Sequence, residues 1–116
     1  MELTYWSMLD ALIRSHGFTI DRPKGSMHPT YNQVIYPIDY GFINNTASMD
    51  GGGIDIFLGK KQPRSVIGII CTIDRVKNDS EIKVIYGCSD TEIDTIMNFL
   101  NHGDMMRGIF VPRGNL

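Results

Sequence analysis

Cysteine is scarce in this chain: Cys71 and Cys88 stand apart in apolar, strand-like surroundings, without the Cys-x-x-Cys spacing of a zinc or dithiol site. Buried free thiols are the expectation. No apolar run reaches the roughly 18 residues needed to cross a bilayer, and the N-terminus lacks the basic-then-apolar order of a secretion signal. The sequence therefore predicts a soluble, cytoplasmic protein with no membrane partner. Positive charge is not in excess either, since 11 Lys+Arg face 13 Asp+Glu for a formal net charge of -2. That balance excludes a protein that grips nucleic acid through an overall positive field, but it allows a local basic pocket for a small anion. Repeats and low-complexity segments are absent.

The 116 residues, 42% of them hydrophobic, predict one domain over residues 1–116 with little room for a second core. From Glu2 to His16 the apolar residues Leu3, Trp6, Leu9, Leu12 and Ile13 recur at spacings of three and four, and Gly17 stands where a helix would end. Phe18 to Asp21 reads as a short strand, followed by a loop, residues 22–29, rich in turn-formers. Val34 to Ile43 reads as extended, interrupted at Pro37 and Gly41, and Ala47 to Gly53 has the glycine density of a shaped loop. Ile54 to Leu58 resumes as a strand. Val66 to Val76 and Ile82 to Tyr86 form a hairpin around Lys77-Asn78-Asp79-Ser80. Ser89-Asp90-Thr91-Glu92 is a capping box that starts a helix running to about His102, and Ile109 to Val111 is a candidate last strand. The pattern predicts a mainly β domain with flanking helices (α+β), in which residues 1–17 form an N-terminal helix, 18–88 a partly closed barrel with a site loop, and 89–116 a helix and strand.

Asp50 and Asp55 bracket Gly51-Gly52-Gly53, and Asp55 lies inside the apolar run Ile54-Asp55-Ile56-Phe57-Leu58, where an ionised carboxylate is costly unless compensated. Strand alternation puts Asp55 on the face of Phe57, from which it can share a cleft with Asp50. A hard divalent cation such as magnesium or manganese would supply the missing charge. The plainer arrangement is one aspartate capping a turn beside another paired with a Lys or Arg, and spacing alone favours it. Asp79 in the hairpin turn, with Glu81 and Lys83 on one strand face, reads by itself as a charged, solvated edge. Arg22, Lys24, Ser26 and His28 offer donors to a phosphate-like anion, with an exposed basic loop as the plain alternative. Tyr36 and Tyr40 can each donate a phenolic hydrogen bond to an oxyanion or simply pack at the core edge.

Taken in order, Tyr36-Pro37-Ile38-Asp39-Tyr40-Gly41-Phe42-Ile43, then Thr46, then Asp50-Gly51-Gly52-Gly53-Ile54-Asp55 resembles the central signature of soluble family I inorganic pyrophosphatases. That signature is Tyr-Pro-x-Asn/Asp-Tyr-Gly-Tyr/Phe-Ile, a threonine-containing loop, then Asp-Gly-Asp/Glu-x-x-Asp. Asp21-Arg22 before it and Asp79, Glu81 and Lys83 after it keep the family's order, so the resemblance spans residues 18–88. It implies a distorted, OB-like five-stranded β-barrel, Mg2+ as cofactor with Mn2+ as an alternative, and hydrolysis of pyrophosphate to two phosphates. By the same resemblance Asp50 and Asp55 are catalytic metal ligands, Glu81 and Asp79 further ligands, and Arg22, Tyr40 and Lys83 phosphate contacts, with Lys24 added as a donor from the neighbouring loop. The chain departs from the family at Gly52, where an acidic residue helps to activate water. It departs again at Gly103-Asp104, where a Tyr-Lys pair is usual and Arg107 is the remaining candidate donor. The competing functions are hydrolysis of a nucleotide or another small phosphoanhydride, a non-catalytic protein holding a metal-phosphate or nucleotide ligand, and an interaction module built on the Trp6 helix. That helix also leaves a homo-oligomer open.

Overall fold

The computed structural model describes residues 3–114, folded in the order α1 (Tyr5–His16), β1 (Phe18–Arg22), β2 (Asp39–Ile43), β3 (Asp55–Leu58), β4 (Val66–Asp74), β5 (Asp79–Tyr86), α2 (Asp90–Leu100) and β6 (Met106–Pro112). Glu2, where the sequence reading begins the first helix, lies outside the described residues. Thr4 caps α1 by accepting the Ser7 N–H at 3.0 Å, while its own N–H donates to the Ser7 hydroxyl at 2.9 Å. In α2 the predicted capping box is present: the Glu92 N–H donates to the Ser89 hydroxyl, and the Ser89 N–H donates to the Glu92 carboxylate at 2.9 Å.

The strands form one six-stranded sheet in the order β1-β2-β3-β5-β4-β6. All neighbours are antiparallel except β3 and β5, which run parallel with Asp55 opposite Lys83 and Phe57 opposite Ile85. The expected five-stranded barrel is thereby corrected to an open sheet. Its last strand is longer than Ile109 to Val111, pairs with β4 along Gly68 to Asp74, and supplies a sixth strand whose far edge pairs with no other strand among the described residues.

Alternation along the strands divides the apolar side chains between the two faces of the one sheet, so an apolar layer lies under each helix. On one face Trp6, Leu9 and Ile13 of α1 pack against Ile43, Ile56, Ile69 and Val84. On the other, Ile93, Ile96 and Leu100 of α2 pack against Tyr40, Phe57, Ile70 and Ile85. Each such aliphatic or aromatic side chain contributes about 1.5–3 kcal/mol by leaving water. Cys88 is buried beneath α2, and that burial, with the Glu92 carboxylate nearby, pushes its thiol up to about 12, while Cys71 is half-buried and equally free. None of the described helices is long and apolar enough to cross a membrane.

Two local features aim the α2 face. A bulge between Ile20 and Arg22 shifts the β1 register so that Arg22 stands opposite Tyr40. The segment between β1 and β2 folds over as a flap, closed by the Met27–Ile35 bridge and by the His28 N–H donating to the Val34 carbonyl at 2.9 Å. Gly41 lets β1 lie this close, because a Cβ there would stand 1.8 Å from the Thr19 carbonyl oxygen. Gly41→Ala should therefore destabilise the fold at or above the top of the roughly 1–3 kcal/mol range of overpacking. Urea unfolding measures it, and a loss below about 0.5 kcal/mol would show that β1 is free to shift.

Candidate active site

The α2 face changes character along its strands. Phe57 and Ile85 lie under the helix, and one alternation earlier on the same two strands come Asp55 and Lys83, then Glu81. Beyond the helix these polar side chains open into a cavity of about 920 Å³. Of the predicted site residues, Arg22, Tyr40, Asp50, Asp55, Asp79, Glu81 and Lys83 all line it. Lys24 does not: its backbone N–H donates to Asp39 at 2.7 Å and its side chain is exposed away from the cavity wall. Arg107 is also elsewhere, since its guanidinium donates to the carbonyls of Gly103 and Met106 at the start of β6.

Lys83 is the buried cation of the site, 7% exposed. Its ammonium donates to Asp55 Oδ2 at 2.9 Å and to the Tyr40 hydroxyl at 2.9 Å. The Tyr40 phenol is pushed far above its usual range by burial first and then by the Asp55 charge, so it stays protonated. Arg22 donates to the Tyr36 hydroxyl and lies over the rings of Tyr36 and Tyr40 at 5.4 and 5.7 Å from their centroids. Asp50 caps its own loop: its Oδ1 accepts the Gly52 N–H at 2.9 Å and the Ser48 hydroxyl at 2.9 Å, which together hold its carboxyl below the usual range. Thr46 pins the same loop by donating to the Ile43 carbonyl at 2.7 Å and accepting the Ile54 N–H at 2.9 Å. The turn-capping Asp50 and the lysine-paired Asp55 of the plainer reading are thus both present.

Glu81 is the group that this reading leaves over. Desolvation, and after it the neighbouring Asp55 charge, raise its carboxyl to about 7, and its buried Oε2 has no hydrogen-bond partner. The cavity wall as a whole carries six carboxylates, those of Asp21, Asp50, Asp55, Asp74, Asp79 and Glu81, against the cations Arg22, Lys77 and Lys83. Among the described residues no three His, Cys, Asp or Glu side chains converge into a ready-made cage for one ion. Magnesium does not require one, since it binds through one or two carboxylates and completes its shell with water and substrate phosphates. An orphaned carboxylate oxygen beside a second carboxylate fits such an ion.

Sequence reasoning missed Thr72 and Asp74 as wall residues, and Lys77 as more than a turn-former. Thr72 was findable only from the β4–β5 register, which sets it opposite Glu81. Asp74 carries a local signal: it accepts the N–H groups of Val76 and Lys77 at 2.9 and 3.0 Å as the cap of the hairpin turn.

A family profile described as "Inorganic pyrophosphatase" matches residues 17–109. An inorganic pyrophosphatase of Yersinia pestis is 30% identical over 79 residues, covering 59% of this chain and 45% of that protein. The sheet superposes on an inorganic pyrophosphatase of Neisseria gonorrhoeae with a TM-score of 0.53 at 21% identity, over 66% of this chain and 60% of the other. A ferredoxin–NADP reductase 2 of Listeria monocytogenes is 28% identical over 91 residues, covering 72% of this chain and 28% of that protein. The chain thus spans less than half of the curated relatives it matches. The described residues hold no strand–helix–strand unit with a Gly-rich first turn, the element on which a dinucleotide would sit.

The raised Glu81 carboxyl makes a pH prediction for the metal-free protein. Because the folded state holds this proton up to about 7 while the free side chain releases it near 4.5, Glu81's contribution to stability is full below 4.5 and is lost as pH rises through 7. In chelator, the urea midpoint should fall between pH 5 and pH 8, and Glu81→Gln should flatten that fall. Equal slopes in the two proteins would remove Glu81 as the strained group.

Proposed function

The chain belongs to the inorganic pyrophosphatase family, and from that premise we propose that it hydrolyses inorganic pyrophosphate to two phosphates in the cavity bounded by β2, β3, β5 and the 50-loop, with Mg2+ as cofactor and Mn2+ as a substitute. The observation that carries the reading is the orphaned Oε2 of Glu81 beside Asp55 in a wall where carboxylates outnumber cations. A polyanion would be repelled from such a wall unless divalent cations came with it. Asp55 and Glu81 would hold the metal, with Asp50 and Asp79 contributing from the loop and the turn. When bound, the cation neutralises charge on the anhydride and acidifies the attacking water.

The chain's own residues then divide the remaining work. Arg22 offers a planar fork of donors to phosphate oxygens, held in place by Tyr36 and by the rings beneath it. The Lys83 ammonium, already tied to Asp55 and Tyr40, is a fixed point charge that needs little reorganisation as negative charge builds on the leaving phosphate. Tyr40, kept protonated, can turn its O–H toward an oxyanion while Lys83 donates to its oxygen. A cytoplasmic location suits free thiols at Cys71 and Cys88, and a homo-oligomer suits the exposed Leu3, Tyr5 and Met8 around α1.

Phosphate release from pyrophosphate should require Mg2+ or Mn2+ and cease in chelator, and Asp55→Asn should abolish it in a protein that still unfolds cooperatively. If calorimetry shows pyrophosphate and metal bound together without any phosphate released, the chain is a binding protein and not a hydrolase. Gly52 tests the mechanism more finely. The left-handed position in this loop is Gly51, at φ 83°, and a Cβ on Gly52 would meet only Asp50 Oδ1, at 3.2 Å. The backbone at 52 accepts a side chain once the Asp50 carboxylate gives by a few tenths of an ångström, and Gly52→Asp should raise kcat, by up to the roughly 10² to 10⁴ that a positioned base typically supplies. A folded, metal-replete Gly52→Asp no faster than wild type would show that the wild-type site already has its proton acceptor.

A further inference from the structure

Half of the cavity has no use for a small inorganic anion. Besides the carboxylates, its lining takes in the flap between β1 and β2, the end of α2 and the start of β6, where aromatic and apolar side chains are mixed with the polar Thr30, Gln33 and Asn98. Tyr31, Ile35 and Met105 line it while 44%, 46% and 42% exposed. The flap ring of His28 lies 5.0 Å from Tyr31 and is stacked on Tyr36 at 6.3 Å and 15°. Phe99 of α2 packs tilted against Tyr36, their centroids 5.3 Å apart. His28 is locked by its Nδ1, which accepts the N–H groups of Thr30 and Tyr31 at 3.0 and 3.2 Å. That leaves Nε2–H as the ring's donor.

The phosphate-handling and aromatic halves meet at Arg22, whose guanidinium lies over Tyr36. Pyrophosphate gains nothing from aromatic faces, and a cavity of about 920 Å³ is at the upper end of the range for drug-sized organic ligands. A half-exposed tyrosine ring beside a phosphate site, here Tyr31, is a surface on which a nucleobase can stack. Resting on the hydrolase reading above, we propose that the physiological substrates include nucleoside di- or triphosphates, with the base against the His28–Tyr31 wall and the terminal anhydride at Arg22 and Lys83. The chemistry is hydrolysis: the oxygen of one water joins the terminal phosphorus, the bond from that phosphorus to the bridging oxygen breaks, the shortened nucleotide leaves with the bridging oxygen, and of the water's two protons one stays on the released phosphate and the other passes to solvent.

Tyr31 is exposed, and its hydroxyl makes no hydrogen bond to a carboxylate among the described residues, so it separates base binding from catalysis. Wild type, Tyr31→Ala and Tyr31→Phe would be compared with Mg2+ on pyrophosphate, tripolyphosphate and ATP, and AMP, which has no anhydride, would be titrated by calorimetry. ATP should show a lower KM than tripolyphosphate. Tyr31→Ala should raise the KM for ATP and the Kd for AMP roughly 5- to 100-fold. Tyr31→Phe should restore both, and the kinetics on pyrophosphate and tripolyphosphate should be the same in all three proteins. Equal KM values for ATP and tripolyphosphate in wild type, or a Tyr31→Ala that affects them alike, would overturn the proposal. Cleavage of pyrophosphate without AMP binding would overturn the base wall alone. Tyr31-dependent AMP binding with every anhydride intact would support the wall and overturn the hydrolase reading on which the substrate rests.

Discussion

A buried ammonium in a sheet has to be answered, and the pairing of Lys83 with Asp55 is the answer around which this fold is arranged. The two residues stand opposite one another in the one parallel strand pair, and the ion pair of 2.9 Å sits at the boundary between the apolar and polar parts of the α2 face. A one-residue slip of β3 against β5 would send Asp55 to the α1 side, facing the apolar Val84, Ile69 and Trp6, and leave Lys83 without its counter-charge. The ion pair thus costs desolvation but makes the register of the sheet's centre hard to change. The same register places Phe57 opposite Ile85 and so gives α2 its apolar bed.

The flanking elements are arranged to leave that pair uncovered on one side. α2 ends at Leu100, and Asn101 turns the chain back by accepting the Gly108 N–H at 2.9 Å, so the helix stops before it reaches Lys83. On the other side Gly41 admits β1, and the bulge after Ile20 delivers Arg22 to the Tyr36–Tyr40 stack, whose centroids are 5.0 Å apart. Tyr36 precedes β2 and Tyr40 lies within it, so the segment that carries the family signature also sets the distance between the guanidinium and the ammonium. Its tyrosines are core-edge residues and site residues at once, because a ring can fill the core while its hydroxyl stays in the site.

What could be read in the sequence was whatever depends on neighbours along the chain. The Ser89–Glu92 box marked the start of α2, Gly17 the end of α1, and alternation in Ile54 to Leu58 put Asp55 on the Phe57 side before any partner was known. What could not be read depends on pairings between distant segments. Nothing local in Glu81-Ile82-Lys83 distinguishes a solvated edge from the strand that lies between β3 and β4, and it is this central place that buries Lys83 and strands the Glu81 oxygen. The seeming surplus of donors in residues 22–28 resolved the same way: the bulge brings Arg22 in, while Lys24, two residues on, is committed to Asp39 by its backbone. The open sheet follows from β6, whose short apolar run gave no sign of how far its pairing with β4 would extend.

The carboxylates of the cavity differ in what each can still do, and the difference bears on the missing acid at Gly52. Asp50 has one oxygen engaged by Ser48 and Gly52, and the same bonds make it a weak base, so it is better suited to holding positive charge than to accepting a proton. Asp55 is neutralised by Lys83 through Oδ2, which leaves Oδ1 as its free oxygen. Glu81 is the basic member of the set in the metal-free protein, but its basicity comes from the same uncompensated charge that would draw a cation, and a bound cation would remove it. Asp50 is thus held a weak base by its loop, and Glu81 would lose its basicity to a bound cation. Position 52 is therefore the place where an added carboxylate would restore the acid that the family signature carries and this chain lacks.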